Sequence, residues 1–165
     1  MLSYRDFTRY FGSNLLDKDF QSFLSKTFSD LTEYKTLESG YIISEKNGVE
    51  LGFNKSESVN DDIDNTVFAN IEPIFSHFNI YPKSVNLVSI LPFEINFNDT
   101  RPIILAKAGE PTQTKEGYAD LLKSSFLIDN YKVDETIITF DYDSRDETLK
   151  FIQIRDNNLV DHLKM

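Results

Sequence analysis

The chain has 165 residues, 40% of them hydrophobic and 13% aromatic, a composition that predicts a folded domain with a Phe-rich core and excludes an acidic disordered tail. Seventeen Lys and Arg residues against 27 Asp and Glu give a net charge of −10, which disfavours binding to nucleic acid or an anionic membrane and favours capture of a basic partner. Cysteine is absent, which excludes a disulfide framework and a thiolate nucleophile.

The N-terminal residues do not resemble a secretory signal peptide. Arg5 brings a charge before any apolar run, and nowhere does the sequence approach the roughly 18 consecutive apolar residues of a membrane span. We therefore expect a cytoplasmic protein without a membrane partner.

The first part of the chain predicts two helices followed by a hairpin. A short helix is expected over about Tyr4 to Phe11, and a longer one begins at the capping residue Asp17. The hairpin is expected to pair 40–45 with 49–53, because Asn47-Gly48 between them accepts the positive φ angles of tight turns. The apolar residues on one face of the longer helix, expected in the core, are Phe20, Phe23, Leu24 and Phe28.

The middle of the chain predicts a loop, a third strand and a connection. Ser56 to Asn65 is polar and acidic and is expected to be a loop. The third strand is expected over about Thr66 to Phe75, where Pro73 predicts that the strand ends or lies at an edge. Ser76 to Ile90 is expected to be a long connection.

The remaining segments repeat the order of helix and strands. Asn98 to Pro102 marks a helix start, and Gly109 followed by Pro111 marks its end. The residues expected on the buried face of this helix are Ile103, Ile104, Leu105 and Ala108. After a polar loop, three strands are expected: Ser125 to Tyr131, Thr136 to Tyr142, and Leu149 to Arg155.

These elements predict an α+β fold in one domain, 1–165. The connections between strands have the length of hairpins, so we expect an antiparallel sheet with helices packed on one face. Because helix followed by strands occurs twice, the fold is expected to be built from two similar helix-plus-hairpin halves, about 1–80 and 81–165.

Two segments of the second part resemble a family signature. LPFEINFNDTR at 91–101 and LAKAGEP at 105–111 are similar to "LPxGLxFxxSRxxVxxxLGxP", a signature of small bacterial immunity proteins found beside polymorphic, contact-dependent or secretion-delivered toxins. Upstream, 11–17 and GVELGF at 48–53 resemble the first half of that family, with its "GIxLxF" hairpin. The resemblance covers roughly residues 10 to 155.

The resemblance implies a protein without catalysis that plugs or covers a cognate toxin. The helix, "LGxP" and hairpin unit is also distantly similar to the repeat of outer-membrane assembly lipoproteins and β-lactamase inhibitor proteins, which are binding modules. The sequence departs from the signature at Glu94, where the family has glycine, at Ala108, where it has leucine, and in the absence of Trp. Much of the signature is structural, so it carries the fold more safely than the function.

Two acidic clusters are the candidate partner-binding sites. Their carboxylates lie in predicted loops, so one interpretation is a solvated surface and the other a patch that docks onto a basic, nucleic-acid-cleaving or nucleotide-binding toxin. Tyr142 between two aspartates suits an interface. The candidate residues are Asp61, Asp62 and Asp64 in the first cluster, and Asp141, Tyr142, Asp143, Asp146 and Glu147 in the second.

We find no motif for catalysis, a metal or a cofactor in the sequence. His77 and His162 are expected at the surface, and Asp141 to Ile152 lacks the glycine and the final glutamate of a calcium loop. The leading hypothesis is an immunity protein that blocks its toxin sterically and electrostatically. One alternative is a protein-interaction or assembly adaptor of β-lactamase-inhibitor-like fold, and another is a hydrolase in which two aspartates converge in a pocket.

Overall fold

The described residues have a mixed α+β fold, which confirms the expected class. The computed structural model describes residues 1–29, 40–55, 73–121 and 123–159. The strands are β1 (Leu2–Ser3), β2 (Tyr41–Ser44), β3 (Val49–Lys55), β4 (Pro73–Ile80), β5 (Val88–Ile90), β6 (Gln113–Ala119), β7 (Ser124–Val133), β8 (Thr136–Tyr142) and β9 (Leu149–Asp156). The helices are α1 (Arg5–Thr8), α2 (Lys18–Thr27) and α3 (Arg101–Ala108), with short 3-10 turns at Pro82–Asn86 and Pro92–Glu94.

Seven of the described strands form one sheet in the spatial order β2-β3-β4-β9-β8-β7-β6, and every neighbouring pair is antiparallel. β1 and β5 form a separate parallel pair. The expected antiparallel sheet is therefore confirmed. The helices α1 and α2 precede β2 to β4, and α3 precedes β6 to β9. The expectation that these are two similar halves stays a prediction.

The helix α2 begins and packs as its sequence predicts. The Asp17 carboxylate accepts hydrogen bonds from the backbone N–H groups of Asp19 and Phe20 at 2.9 and 3.0 Å, which satisfies donors that the first turn leaves free. The Phe20 ring lies 5.1 Å from that of Phe75 on β4 and 6.2 Å from that of Phe53 on β3. All four residues expected on the apolar face are buried: Phe20, Phe23, Leu24 and Phe28.

Two expectations about the sheet are wrong. The part of the expected third strand at 66–72 lies outside the described residues, and β4, given as Pro73–Ile80, runs through the first five residues of the expected connection. The strand β6 occupies the expected polar loop before β7; its residues are polar because β6 lies at the edge of the sheet and is exposed along nearly its whole length.

The helix α3 is confirmed, but its buried face is narrower than expected. Ile104 is fully buried, whereas the Ile103 side chain is 44% exposed. Gly109 ends the helix with φ +81, and its carbonyl oxygen accepts a hydrogen bond from the Tyr131 hydroxyl at 3.0 Å.

The two faces of the sheet differ because successive side chains of a strand point to opposite sides. The helix face packs against the helices: Phe7 of α1 stacks on Phe78 of β4, and Phe20 of α2 contacts Phe75. We call the other side the second face. It carries residues such as Glu50, Asn79 and Gln153, which lie opposite one another on adjacent strands. No helix among the described residues is long and apolar enough to cross a membrane.

Candidate functional site

The second face carries a hydrogen-bonded carboxylate near the β2 edge. The Glu50 Oε2 atom of β3 accepts hydrogen bonds from Asn79 Nδ2 at 2.9 Å and from the Tyr81 hydroxyl at 2.8 Å. Burial, and then the hydrogen bond to Glu50, raise the pKa of Tyr81 to about 12, so its hydroxyl stays a donor at neutral pH. The Glu50 side chain is thus fixed by two neutral donors.

This carboxylate lies in a groove, which we call the Glu50 groove. Ile43, from the edge strand β2, lines one part of it with a side chain that is 52% exposed. The volume of about 270 Å³ lies at the lower limit of small-molecule sites, which span roughly 300–1,000 Å³. The lining residues are Ile43, Ser44, Glu45, Gly48, Val49, Glu50, Tyr81 and Lys83.

The β2–β3 turn positions the Tyr81 side of the groove. Gly48 has φ +60, and its carbonyl oxygen accepts a hydrogen bond from Tyr81 N–H at 3.0 Å. A Cβ at Gly48 would lie 2.9 Å from Lys83 Cβ and 3.0 Å from Ser84 N. The turn therefore needs glycine for its backbone angle and for its contact with the following 3-10 turn.

A second glycine allows a histidine to lie flat on the sheet beside the groove. A Cβ at Gly52 of β3 would lie 2.1 Å from Nε2 of His77, so the imidazole occupies the space above the glycine backbone. The His77 nitrogens lie within hydrogen-bond distance of Ser76 Oγ, at 2.9 Å, and of the Tyr41 hydroxyl, at 3.1 Å. His77 is half-buried, and both of these partners are hydroxyl groups.

Amide side chains continue the polar network across the sheet. Gln153 Nε2 on β9 donates to Asn79 Oδ1 at 3.1 Å. A second, buried group of polar side chains joins β7, β8 and β9: the Thr139 hydroxyl donates to Asn130 Oδ1 at 2.6 Å, and Arg155 Nη1 donates to the Thr139 hydroxyl at 3.2 Å. Such a network holds the side chains of the second face in defined positions, which lowers the entropy cost of binding a partner.

The helix face holds a buried ion pair between α3 and β7. Arg101 donates from Nε to Asp129 Oδ2 at 2.7 Å and from Nη2 to Oδ1 at 3.1 Å, and the Thr114 hydroxyl donates to the same Oδ1 at 2.6 Å. The Asp129 side chain is fully buried and that of Arg101 is 22% exposed. The hydrogen bonds to Asp129 raise the pKa of Arg101. This pair joins the start of a helix to the sheet and has the geometry of a structural contact.

Residues that match the family signature are structural as well. Leu91, Ile95 and Ile104 are buried in the core, and Arg101 forms the ion pair with Asp129. Glu94, where the signature has glycine, has φ +55, a conformation that glycine adopts without strain. The signature segment therefore forms core and turns, and the Glu50 groove lies elsewhere on the molecule.

In the second predicted acidic cluster, the structure pairs two of the charges with cations. Asp141 forms an ion pair with Lys150, and Asp143 accepts from Arg145 Nη2 at 2.7 Å. Hydrogen bonds from Arg145 lower the pKa of Asp143 to below its usual range. Asp146 accepts from Thr148, both its N–H and its hydroxyl, and hydrogen bonding lowers its pKa as well. Glu147 occupies a turn position with φ +57.

Tyr142 does not lie at the surface. Its side chain is fully buried on the helix face, and burial raises its pKa far above the usual range. A bulge between Asp141 and Tyr142 shifts the register of β8 with β9. The expectation that this ring contacts a partner needs correcting, because the described surface does not expose it.

The first predicted cluster, Asp61, Asp62 and Asp64, lies outside the described residues, as does His162.

The described residues contain no group of three His, Cys, Asp or Glu side chains that could hold a metal ion. The groove next to the second cluster is lined by one carboxylate, Asp143, and by Lys123, Arg145 and Lys150. The pocket of two converging aspartates that a hydrolase requires is thus not formed by Asp141, Asp143 and Asp146 among the described residues.

Sequence reasoning missed Glu50 and Tyr81. Glu50 stands in the run Val49-Glu50-Leu51, and period-two alternation places it on the face opposite the two apolar neighbours. Its hydrogen-bond donors, Asn79 and Tyr81, could not be predicted from the sequence because both lie in the segment expected to be a connection. The pairing of Glu50 with Asn79 depends on the register of β3 with β4.

Comparison of the chain with protein-family models, with curated proteins and with solved structures finds no match. The resemblance to immunity proteins therefore stays a prediction from the residues quoted above.

Proposed function

We propose that this chain is a cytoplasmic, non-catalytic binding protein that neutralises a cognate bacterial toxin, as an immunity protein does. The observation that carries the proposal is the exposed β2 side of the second face, where aromatic and aliphatic side chains surround a hydrogen-bonded carboxylate. The similarity to the signature at 91–111 supports the immunity role. The proposal includes the two similar halves, each a helix followed by antiparallel strands.

The chemistry of this surface is that of an interface rather than of a substrate site. Tyrosines and part-buried charges that are held in place by their neighbours account for much of the binding energy in protein interfaces. Tyr41, with a 37% exposed side chain, and Ile43, at 52%, provide apolar contact area beside Glu50. A partner that covers them removes apolar surface from water, and the entropy cost of binding is small because the contacted side chains are already ordered.

Charge supports a basic toxin as the partner. The net charge of −10 accelerates association with a cationic surface, and five of the 27 acidic residues lie in 56–72, which contains no Lys or Arg. A basic surface is typical of toxins that cleave nucleic acid or bind nucleotides. The second acidic cluster contributes less field, because Asp141 and Asp143 are paired with cations.

Co-expression with the toxin domain encoded beside this chain tests the proposal. We expect growth to be restored and the two chains to elute together from a sizing column. A matched culture that expresses the toxin domain with an unrelated acidic protein controls for nonspecific charge effects. Failure to restore growth, together with separate elution of the two chains, would contradict the proposed function.

A further inference from the structure

The Glu50 groove contains a carboxylate that forms no ion pair with a described residue. Both hydrogen bonds to Glu50 reach Oε2 and come from neutral groups, Asn79 and Tyr81. No Lys or Arg among the described residues forms an ion pair with Glu50; the described ion pairs involve other carboxylates. The second oxygen, Oε1, accepts no hydrogen bond from the described residues and can accept one from a bound group.

The walls of the groove restrict what that group can be. Ile43 and the Tyr81 ring supply apolar area, and Glu45 adds a second carboxylate to the lining against one cation, Lys83. The net charge of these groups is negative, which favours a cation over an anion or a neutral amide. A volume of about 270 Å³ suits a single protruding side chain better than a drug-sized molecule.

We propose that the Glu50 groove binds an arginine side chain of the partner. A guanidinium is more weakly hydrated than an ammonium, stacks on aromatic rings and donates in a planar fork, so it matches a carboxylate that lies between Ile43 and Tyr81. The inference rests on the proposed function only for the identity of the partner, since the groove itself can be tested without a toxin.

The probe is N-acetyl-L-arginine amide, titrated into the ¹⁵N-labelled full chain and followed by amide chemical shifts. We expect saturable shifts centred on Ile43, Glu50 and Tyr81, with a dissociation constant on the order of 1 mM that rises with salt. N-acetyl-L-leucine amide is the neutral control and should not change the chemical shifts of these backbone amides. Absence of localised, saturable shifts with the arginine probe overturns the inference.

Glu50→Gln is the decisive variant, because glutamine keeps an oxygen acceptor for Asn79 and Tyr81 and removes only the charge. We expect it to weaken probe binding at least about fivefold. Glu116→Gln, an equal charge change on the exposed edge strand β6, should bind the probe as the wild type does. Equal binding by the wild type and Glu50→Gln overturns the inference.

Two experiments separate this inference from the proposed function. If the arginine probe binds at Glu50 but the chain does not protect cells from the toxin, the groove is supported and the proposed function fails. If the chain protects cells but neither the probe nor the Glu50→Gln variant has an effect, the proposed function stands and the arginine site is overturned.

Discussion

Replacing Arg101 by Met should destabilise the fold more than replacing its ion-pair partner Asp129 by Asn. The substitution leaves the Asp129 carboxylate, fully buried, without its cation, and removing one member of a buried pair costs about 3–5 kcal/mol of unfolding free energy. Asp129→Asn should cost less, about 1–3 kcal/mol, because asparagine still accepts from Thr114 and because Arg101, at 22% exposure, can turn toward water.

Urea unfolding followed by circular dichroism measures this difference. With a slope of about 2 kcal/mol/M, Arg101→Met should lower the midpoint by about 1.5–2.5 M. The double variant with Asp129→Asn should be more stable than Arg101→Met alone, because it removes the buried charge.

A loss below about 1 kcal/mol for Arg101→Met would refute this reasoning. So would a double variant no more stable than Arg101→Met, because the cost would then lie in lost packing and not in the buried charge.

Three further predictions concern other parts of the fold. Gly48→Ala should lower the unfolding free energy by about 2–4 kcal/mol, because position 48 has a positive φ and the new Cβ would lie 2.9 Å from the nearest side-chain atom. The control Gly12→Ala, where φ is also positive but no atom lies within 4 Å of the new Cβ, should lower it by only about 1–2 kcal/mol. Equal losses in urea unfolding would contradict the steric argument. Arg145→Ala should raise the pKa of Asp143 toward its usual range and change stability little, which an NMR titration of the carboxyl group can measure. An unchanged pKa would mean that a group other than Arg145 lowers it. Stability should fall as pH rises from about 10 to about 12, because burial raises the pKa of Tyr81 to about 12 and the folded state then holds more protons than the unfolded state. A urea midpoint that does not change over this pH range would contradict this prediction.

Local signals in the sequence predicted the elements that local chemistry determines. The Asp17 cap, the Asn47-Gly48 turn and the proline and glycine around α3 each act within a few residues, and each of these elements forms. The failures are β4 beyond Phe75 and the edge strand β6. Ser76, His77 and Asn79 read as a connection because they are polar, yet β4 runs through the centre of the sheet, paired on both sides. Tertiary context overrode the local pattern there.

The candidate site was predicted less well than the fold, because it depends on register and burial. Tyr142 between two aspartates is typical of an exposed turn, but it still belongs to β8, where alternation with Ile138 and Phe140 places its ring in the core. Lys150 and Arg145 pair with acidic neighbours that the sequence presented as a uniform patch. The role of Glu50 follows from the pairing of β3 with β4 and from its hydrogen bond with Tyr81, neither of which the local sequence predicts.

Growth protection by two matched variants tests the central claim most directly. Ile43, in the Glu50 groove, and Ile103, on α3 across the sheet, are the same residue type with similar exposure, 52% and 44%. An arginine at position 43 fills the groove and neutralises Glu50, whereas an arginine at position 103 leaves the second face unchanged. Co-expressed with the toxin domain, folded Ile103→Arg should protect cells as the wild type does, and folded Ile43→Arg should not. Protection by Ile43→Arg equal to that of the wild type would contradict the account.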